Sequence, residues 1–252
     1  MFKFVLLIIL ILAFLIFTPL TIFAQQSGNS FINIVMPVRG EDFWQDQKIT
    51  PFESFKKYFD LISNKELPAT WLLRFDTLKD PQITTKLKNN LNKRQIGLFL
   101  EITPSIANEA LVKYHEAENW HQAGSVLPTG YTLDERRKII DTYFEKFKEE
   151  FGFYPQTVGA WWIDADSLTY MYTKYGIKAN LSVSDQFSTD GYQVWGQFWS
   201  TPFYPSKFNA SQPAQNIENK IGVVQLQWAA RDPYQGFGGR VEDSTYSIQA
   251  ND

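Results

Sequence analysis

The sequence predicts an α/β protein in which parallel strands and helices alternate. Short apolar runs are separated by stretches whose apolar residues recur at helical spacing, which is the pattern of successive βαβ units. Right-handed crossovers curl such units into a barrel or an open doubly wound sheet. No glycine-rich phosphate-binding turn follows the first apolar run, which disfavours a dinucleotide-binding fold. A (β/α) barrel and an open doubly wound sheet without a dinucleotide site both fit this pattern.

Six strands and five connecting helices are predicted in order along the chain. The strands are placed at 31–38, 68–75, 96–102, 157–163, 177–183 and 221–228. The helices are placed at 50–63, 80–93, 104–114, 132–152 and 164–176. Longer loops fall at 119–131 and 185–219, the second of them rich in aromatic residues.

The helix predicted at 132–152 carries the clearest start and stop signals. Thr132 is placed as its N-cap with Glu135 three residues later, which is the spacing of a capping box. Gly152 is suited to end it. For the helix at 50–63, Thr50 is the expected N-cap and Pro51 the first helical residue.

The chain begins with an apolar segment, MFKFVLLIILILAFLIFTPLTIFA, at residues 1–24. It reads as a secretory signal peptide with a cut after Ala24, or as an uncleaved membrane anchor, since about 20 apolar residues can span a bilayer. Both alternatives place the protein outside the cytoplasm, secreted or at the cell surface. Membrane contact is expected only through this segment.

Residues 25–30 form a short linker, and residues 31–252 form the barrel domain. After Trp228 no convincing seventh strand and helix follow. We therefore expect a domain that is incomplete at its carboxyl end, either as a fragment of a longer protein or as a barrel without its last units.

Composition limits the classes of partner. The net charge is −3 with no basic block, so nucleic-acid binding is not expected. The chain has no cysteine, which excludes disulfides, thiolate metal sites and cysteine nucleophiles. Aromatic residues make up 16 % of the chain, with eight Trp and twelve Tyr. Core packing accounts for many of them, but a surplus also suits a groove that binds a polysaccharide or a cell-surface glycan.

Polar residues follow each predicted strand, where a parallel barrel keeps its working groups. In chain order they are Arg39, Glu41, Asp42 and Trp44; Arg74 and Asp76; Glu101; Trp161, Trp162, Asp164 and Asp166; Ser184, Asp185 and Gln186; and Gln227, Trp228, Arg231 and Asp232. For any one position an ordinary turn residue or N-cap is an alternative, and Asp164 in particular is well placed to cap a helix.

The joint pattern of carboxylates beside paired tryptophans favours a carbohydrate site, in which one carboxylic acid protonates and another attacks or activates water. The candidate acid, base and nucleophile residues are Asp42, Glu41, Glu101 and Asp164. A general acid would need a pKa raised by apolar neighbours. The candidate substrate-binding residues are Arg39, Trp44, Arg74, His121, Trp161, Trp162, Asp185, Trp195 and Trp228.

Four stretches resemble the NodB-type polysaccharide deacetylases and the wider glycoside hydrolase/deacetylase superfamily of distorted (β/α) barrels. They are IVMPVRGEDFW, LPATWLLRFDTL, IGLFLEITP and EFGFYPQTVGAWWIDADSLTYMYTKYGIKA, which includes an FG-x-x-P turn. The resemblance covers about residues 31–185 and consists of order and spacing. It implies a distorted barrel of the polysaccharide deacetylase type.

The same resemblance implies a divalent metal held by an Asp and two His about four residues apart, and here the chain departs from the family. The corresponding third stretch reads LEITPSIA, with Glu101 and no histidine. The two histidines, His115 and His121, are six residues apart in a later loop. Asp42 still matches an acidic position, whereas Ala160-Trp161-Trp162 replaces an Arg-Pro-aromatic run. Carboxylates alone favour harder ions, so we expect no metal cofactor.

Three hypotheses follow for the function. The first is an exported carbohydrate-active protein of the glycoside hydrolase/deacetylase type that works without a metal. The second is a catalytically inactive cell-surface module that binds glycan or protein on the same fold. The third is a deacetylase with an unusual carboxylate-rich metal site.

Overall fold

The computed structural model describes residues 34–46, 48–91, 95–117, 122–183 and 201–228. These residues belong to one compact unit, Asn33–Asp252. Six strands are present: β1 Ile34–Val38, β2 Ala69–Leu73, β3 Gln95–Phe99, β4 Thr157–Ala160, β5 Ala179–Val183 and β6 Val224–Trp228. All six predicted strands are thereby confirmed, with ends that shift by a few residues.

The strands form one parallel sheet in the order β1-β2-β3-β4-β5-β6. A parallel order that follows the chain without reversal is that of a barrel wall and not that of a doubly wound sheet. Within the described residues β1 and β6 are the two edges, so the strands make a curled half-barrel. The α/β class is confirmed, and the half-barrel formed by the described residues is consistent with an incomplete barrel.

The helices lie between the strands as the sequence predicts, but several are shorter. They are α1 Pro51–Asn64, α2 Phe75–Leu78, α3 Pro81–Lys88, α4 Pro104–Glu109, α5 Ala123–Val126, α6 Leu133–Phe151 and α7 Ala165–Tyr175, with a 3₁₀ turn at Pro128–Gly130. The short helices α2 and α5 were not predicted. Among the described residues, no helix has the length and apolar character needed to cross a membrane.

Helix ends follow the predicted capping signals. Thr50 and Thr132 each accept from the backbone N–H three residues on, and Glu53 and Glu135 complete both capping boxes. Gly152 ends α6 with φ 82°, a left-handed conformation that glycine adopts without a steric penalty. The two capping boxes fix where α1 and α6 start.

The sheet buries apolar side chains on both faces. Trp71 and Leu73 belong to the large cluster packed under the helices, while Leu72 between them joins Phe99 and Leu181 on the opposite face. On the Leu72 face the side chains must be small where the strands pass each other closely. A Cβ added at Gly97 would lie 2.2 Å from the Thr157 carbonyl oxygen, so glycine is required there.

We expect Gly97→Ala to destabilise the protein by about 1–3 kcal/mol, because β3 and β4 must separate to admit the methyl group. Gly124→Ala is the matched control, since a Cβ at Gly124 meets nothing within 4 Å. Urea unfolding of both variants measures the difference. Equal stability of the two variants would contradict the close approach of these strands.

Candidate functional site

The carboxyl ends of β1, β2 and β3 meet at one buried carboxylate, that of Glu101. Glu101 is 0 % exposed and follows β3. Arg39, after β1, donates from Nε to Oε2 at 3.1 Å and from Nη2 to Oε1 at 2.9 Å. Arg74, after β2, donates from Nη1 to Oε2 at 2.8 Å. The structure thus brings three sequence-predicted site residues into direct contact.

A fourth partner comes from the end of β4. The indole N–H of Trp161 donates to Glu101 Oε1 at 2.8 Å. The Trp161 ring also lies edge-on to Phe99, with centroids 5.6 Å apart, and the Arg39 guanidinium lies 5.3 Å from its centre. Trp161 is half-buried, and its indole N–H and ring contact other residues of the site.

The pKa of Glu101 corrects one expectation from the sequence. Burial acts to raise this pKa, but the charges of Arg39 and Arg74 and the hydrogen bond from Trp161 outweigh it and hold the pKa at about 2. The role of general acid would require a carboxylate with a raised pKa. Glu101 is ionised at neutral pH, so it provides a fixed negative charge and no proton.

Arg74 is the central cation of the site and is only 1 % exposed. Besides Glu101 it holds Asp76, with Nε donating to Oδ1 at 2.9 Å and Nη2 donating to Oδ2 at 2.7 Å. Burial acts to lower the pKa of Arg74, but Asp76 and Glu101 raise it overall, so the guanidinium stays charged. Each of these two carboxylates is neutralised by a guanidinium that is itself buried or partly buried.

The loop after β1 is tied to this pair through its backbone. Asp42 N–H donates to Asp76 Oδ2 at 2.9 Å, and the carbonyl oxygens of Gly40 and Asp42 accept from Arg74 Nη2. A Cβ at Gly40 would lie 2.8 Å from the Asp76 carboxyl, so a glycine is needed where the loop crosses. The next residue after Asp42, Phe43, adopts φ 63°, an uncommon conformation for a bulky residue.

Asp42 differs from the other carboxylates at this edge. Its side chain is half-buried, and Oδ2 accepts a hydrogen bond from the hydroxyl of Ser105. Ser105 lies in the first turn of α4 and shares a 3.2 Å hydrogen bond with Thr103. Within the described part of the chain, Oδ1 of Asp42 has no hydrogen-bond partner. Asp42 and Glu101 occupy the same end of the sheet and are linked through Arg74.

Other predicted residues take less central positions. Glu41 is exposed, and Trp162 is half-buried. The indole N–H of Trp44 donates to the carbonyl of Ile49 at 2.9 Å, within its own loop. His121, Asp185, Trp195 and the side chain of Trp228 lie outside the described residues, so their predicted roles stay predictions.

Asp164 caps α7, the alternative that the sequence left open for it. Its Oδ1 accepts from Ser167 N–H at 2.8 Å and from Arg136 Nη1 at 2.8 Å. Its Oδ2 is buried without a hydrogen-bond partner in the described ranges. None of these contacts joins it to Asp42 or Glu101, so the structure does not support Asp164 as a third member of the carboxylate group.

Two residues that contact the site are absent from the sequence-predicted residues. Ser105 binds Asp42, and Tyr143 on α6 donates to the Glu101 carbonyl at 2.6 Å. Asp76, which the sequence places after the second strand, accepts from the backbone N–H of Asp42. The one sequence feature that could have indicated Ser105 as a site residue is its position four residues after Glu101 in LEITPSIA. Tyr114 lies nearby, half-buried, and burial together with the charges of Glu101 and Asp42 raises its pKa.

The residues at this edge do not fit the metal site that the sequence resemblance implies. Where that resemblance expects histidines, the chain has Glu101 and, four residues on, Ser105. Both oxygens of Glu101 accept from arginine, and Oε1 also accepts from Trp161, so each oxygen already has two donors and none is directed at a cation. Among the described residues no three His, Cys, Asp or Glu side chains converge as metal ligands.

Arg74→Met should destabilise the protein by about 3–5 kcal/mol, because it leaves Glu101 and Asp76 buried with part of their countercharge missing. Lys56→Met is the control. Its ion pair with Asp60 is exposed and spans one helical turn, so about 0.5 kcal/mol or less is expected. Urea unfolding at pH 7 distinguishes them, and equal losses would contradict the central role of Arg74.

Stability should also depend on pH through Glu101. Its folded-state pKa of about 2 lies below that of the unfolded chain, so its stabilising contribution is complete above roughly pH 5 and is lost as the pH falls toward 2. Glu101→Gln removes this titration. We expect the wild-type protein to lose more unfolding free energy than this variant between pH 7 and pH 3. Parallel pH profiles would show that Glu101 is not held ionised.

Comparison with solved structures finds similarity of fold at low sequence identity. A crystal structure from Parabacteroides distasonis, provisionally described as a glycoside hydrolase/deacetylase, aligns with 77 % of this chain at 19 % identity and a TM-score of 0.49. The aligned region is 44 % of that protein, so the chain spans less than half the length of its structural relative.

No curated protein matches the sequence. Residues 68–245, well over half of the chain, match the family described as a domain of unknown function with a solved structure, DUF3863. The match begins just before β2 and so includes Arg74, Asp76, Glu101 and Ser105. The chain belongs to the DUF3863 family.

Proposed function

We propose that this protein is an exported, carbohydrate-active hydrolase of the glycoside hydrolase/deacetylase type that works without a metal ion, with Asp42 as the group that transfers the proton. One observation carries the assignment. At the edge where β1 to β3 end, Glu101 and Asp76 are fully engaged by arginines, whereas Asp42 is half-buried and keeps one carboxylate oxygen without a partner in the described part of the chain.

The arrangement suits hydrolysis in which Asp42 acts as general base. An ionised Asp42 can take a proton from water or from a hydroxyl that attacks the substrate, and it can return the proton to the leaving group. Arg39 and Arg74 place two fixed positive charges beside Glu101, in the part of the site where the sequence resemblance expects a metal. The fixed charges also hold the β1 loop, and with it Asp42, in place.

A polysaccharide or cell-surface glycan is the proposed substrate class. The sequence resemblance to polysaccharide deacetylases supports it, as does the concentration of tryptophans after β1 and β4. Trp44 and Trp162 are half-buried and partly open to solvent, and partly open indole rings are suited to stack on sugars. Residues 1–24 would export the protein as a signal peptide or retain it at the membrane as an anchor.

A catalytically inactive glycan-binding module is the second candidate, and a specific observation favours it. Most of the carboxylate oxygens at the strand ends already accept hydrogen bonds from arginines, a tryptophan or backbone N–H groups. Such a network can hold a binding surface rigid even if none of its carboxylates transfers a proton. In this alternative Asp42 would accept a hydrogen bond from a sugar hydroxyl.

Asp42→Asn separates the two candidates. The substitution removes the basic carboxylate, while the bonds that anchor the loop involve the backbone N–H and C=O of residue 42 and are kept. With the full chain in mild detergent and EDTA present, we expect hydrolysis of a panel of acetylated and plain polysaccharides to fall by about 10²–10⁴-fold. Glycan binding, measured by affinity electrophoresis, should persist.

Asp134→Asn is the matched control, because Asp134 is an exposed carboxylate in the first turn of α6 that has no part in the candidate site. Wild-type protein that binds glycan but hydrolyses none of the panel would select the binding module. Activity abolished by EDTA and restored by zinc or cobalt would show that the reaction depends on a metal. Full activity of Asp42→Asn would reject Asp42 as the proton-transfer group.

A further inference from the structure

We propose that Ser105 is a nucleophile activated by Asp42, and that the site removes ester-linked acyl groups from glycans. The inference rests on the proposed function and names the bond that the site cleaves. Its starting point is the hydrogen bond from the Ser105 hydroxyl to Asp42 Oδ2. A serine becomes a useful nucleophile when a base lies within hydrogen-bond reach, as Asp42 does here.

The pair is held by groups on three different strand ends. Ser105 lies in the first turn of α4, after β3, and Thr103 is 3.2 Å from its Oγ. Asp42, after β1, is fixed by its N–H to Asp76 Oδ2 at 2.9 Å and by its carbonyl to Arg74. A nucleophile, a base and groups that orient the base are the parts that covalent hydrolysis needs.

Both members of the pair are within reach of a substrate. Ser105 and Asp42 are partly exposed, in contrast to Glu101 and Arg74, which are buried. Oδ1 of Asp42 has no hydrogen-bond partner among the described residues, so the carboxylate has capacity for a second contact. The ion pairs of Glu101 and Arg74 therefore lie in the interior, whereas a substrate in solvent can contact Ser105 and Asp42.

The chemistry of the neighbouring carboxylates favours ester cleavage over glycosidic cleavage. Hydrolysis of a glycosidic bond requires two carboxyl groups, one of which carries a proton. Glu101 is held ionised and Asp76 is bound by Arg74 through both oxygens. Covalent acyl transfer uses a nucleophile and one base and needs no second, protonated carboxyl group. An alcohol leaves from an ester more readily than an amine leaves from an amide, which suits a base as weak as a carboxylate.

The reaction balances with water as the only co-reactant. Ser105 Oγ attacks the acyl carbon while its proton passes to Asp42, and the sugar oxygen leaves with that proton. The acyl group is then bonded to Ser105. Water attacks the acyl carbon, Asp42 takes a proton from the water and returns it to Ser105 Oγ, and the carboxylic acid is released. One ester and one water give one alcohol and one acid.

Labelling of the full chain in mild detergent with a fluorophosphonate tests the nucleophile directly. We expect one modified peptide, carrying the label on Ser105, and release of acetate from acetylated xylan. Ser105→Ala should lose the label and release acetate at least about 100-fold more slowly. Ser54→Ala on α1 is the matched control, since Ser54 is a buried serine that touches none of the site residues described above. Thermal unfolding checks that each variant folds.

Ser105→Cys provides a second readout, since the chain has no other cysteine. We expect it to retain an acetyl group from p-nitrophenyl acetate as a thioester on that one thiol, detectable by intact mass. Labelling elsewhere, or no labelling and no acetate release by folded wild-type protein, would overturn the inference.

The outcomes also separate this inference from the proposed function. Polysaccharide hydrolysis that survives Ser105→Ala but not Asp42→Asn would reject Ser105 as nucleophile and leave Asp42 as base. If both variants keep polysaccharide hydrolysis and acetate release, both assignments are rejected. Acetate release that requires both residues supports both.

Discussion

The interaction on which this end of the molecule depends is the burial of Glu101 between Arg39 and Arg74. A carboxylate with no exposure is strongly destabilised unless opposite charge and hydrogen-bond donors replace the lost water. Here two guanidiniums and an indole supply them, and each donor comes from the end of a different strand. The single carboxylate therefore fixes the relative positions of four strand ends.

The acidic residues at this end of the sheet differ in whether a cation balances their charge. Arg39 and Arg74 are offset by Glu101 and Asp76, so the buried group of four is neutral in total. Asp42 adds a negative charge at its surface, paired with a hydroxyl instead of a cation. A carboxylate in that setting can exchange a proton or accept a hydrogen bond from a sugar. The buried carboxylates can do neither without breaking ion pairs.

The strands, their order of appearance, two capping boxes and the polar edge could be predicted because they depend on local pattern. The partners of each polar side chain could not. Arg39 and Glu101 are far apart in the chain, and nothing local indicates that one binds the other. The same limit applies to the pKa of Glu101, since apolar neighbours and arginines act in opposite directions and only their geometry shows which is stronger. Ser105 was overlooked for the same reason.

The anchoring of the β1 loop has a consequence for how related chains can diverge. Backbone atoms of residues 40 and 42 bind Arg74 and Asp76 and hold the loop. Substitutions in the loop keep these contacts unless they introduce proline at position 42 or a Cβ at position 40. The side chains at 41 and 42 can therefore be exchanged during evolution while these backbone contacts are kept. A lineage with this fold could gain or abandon chemistry at that position through single substitutions and keep the same architecture.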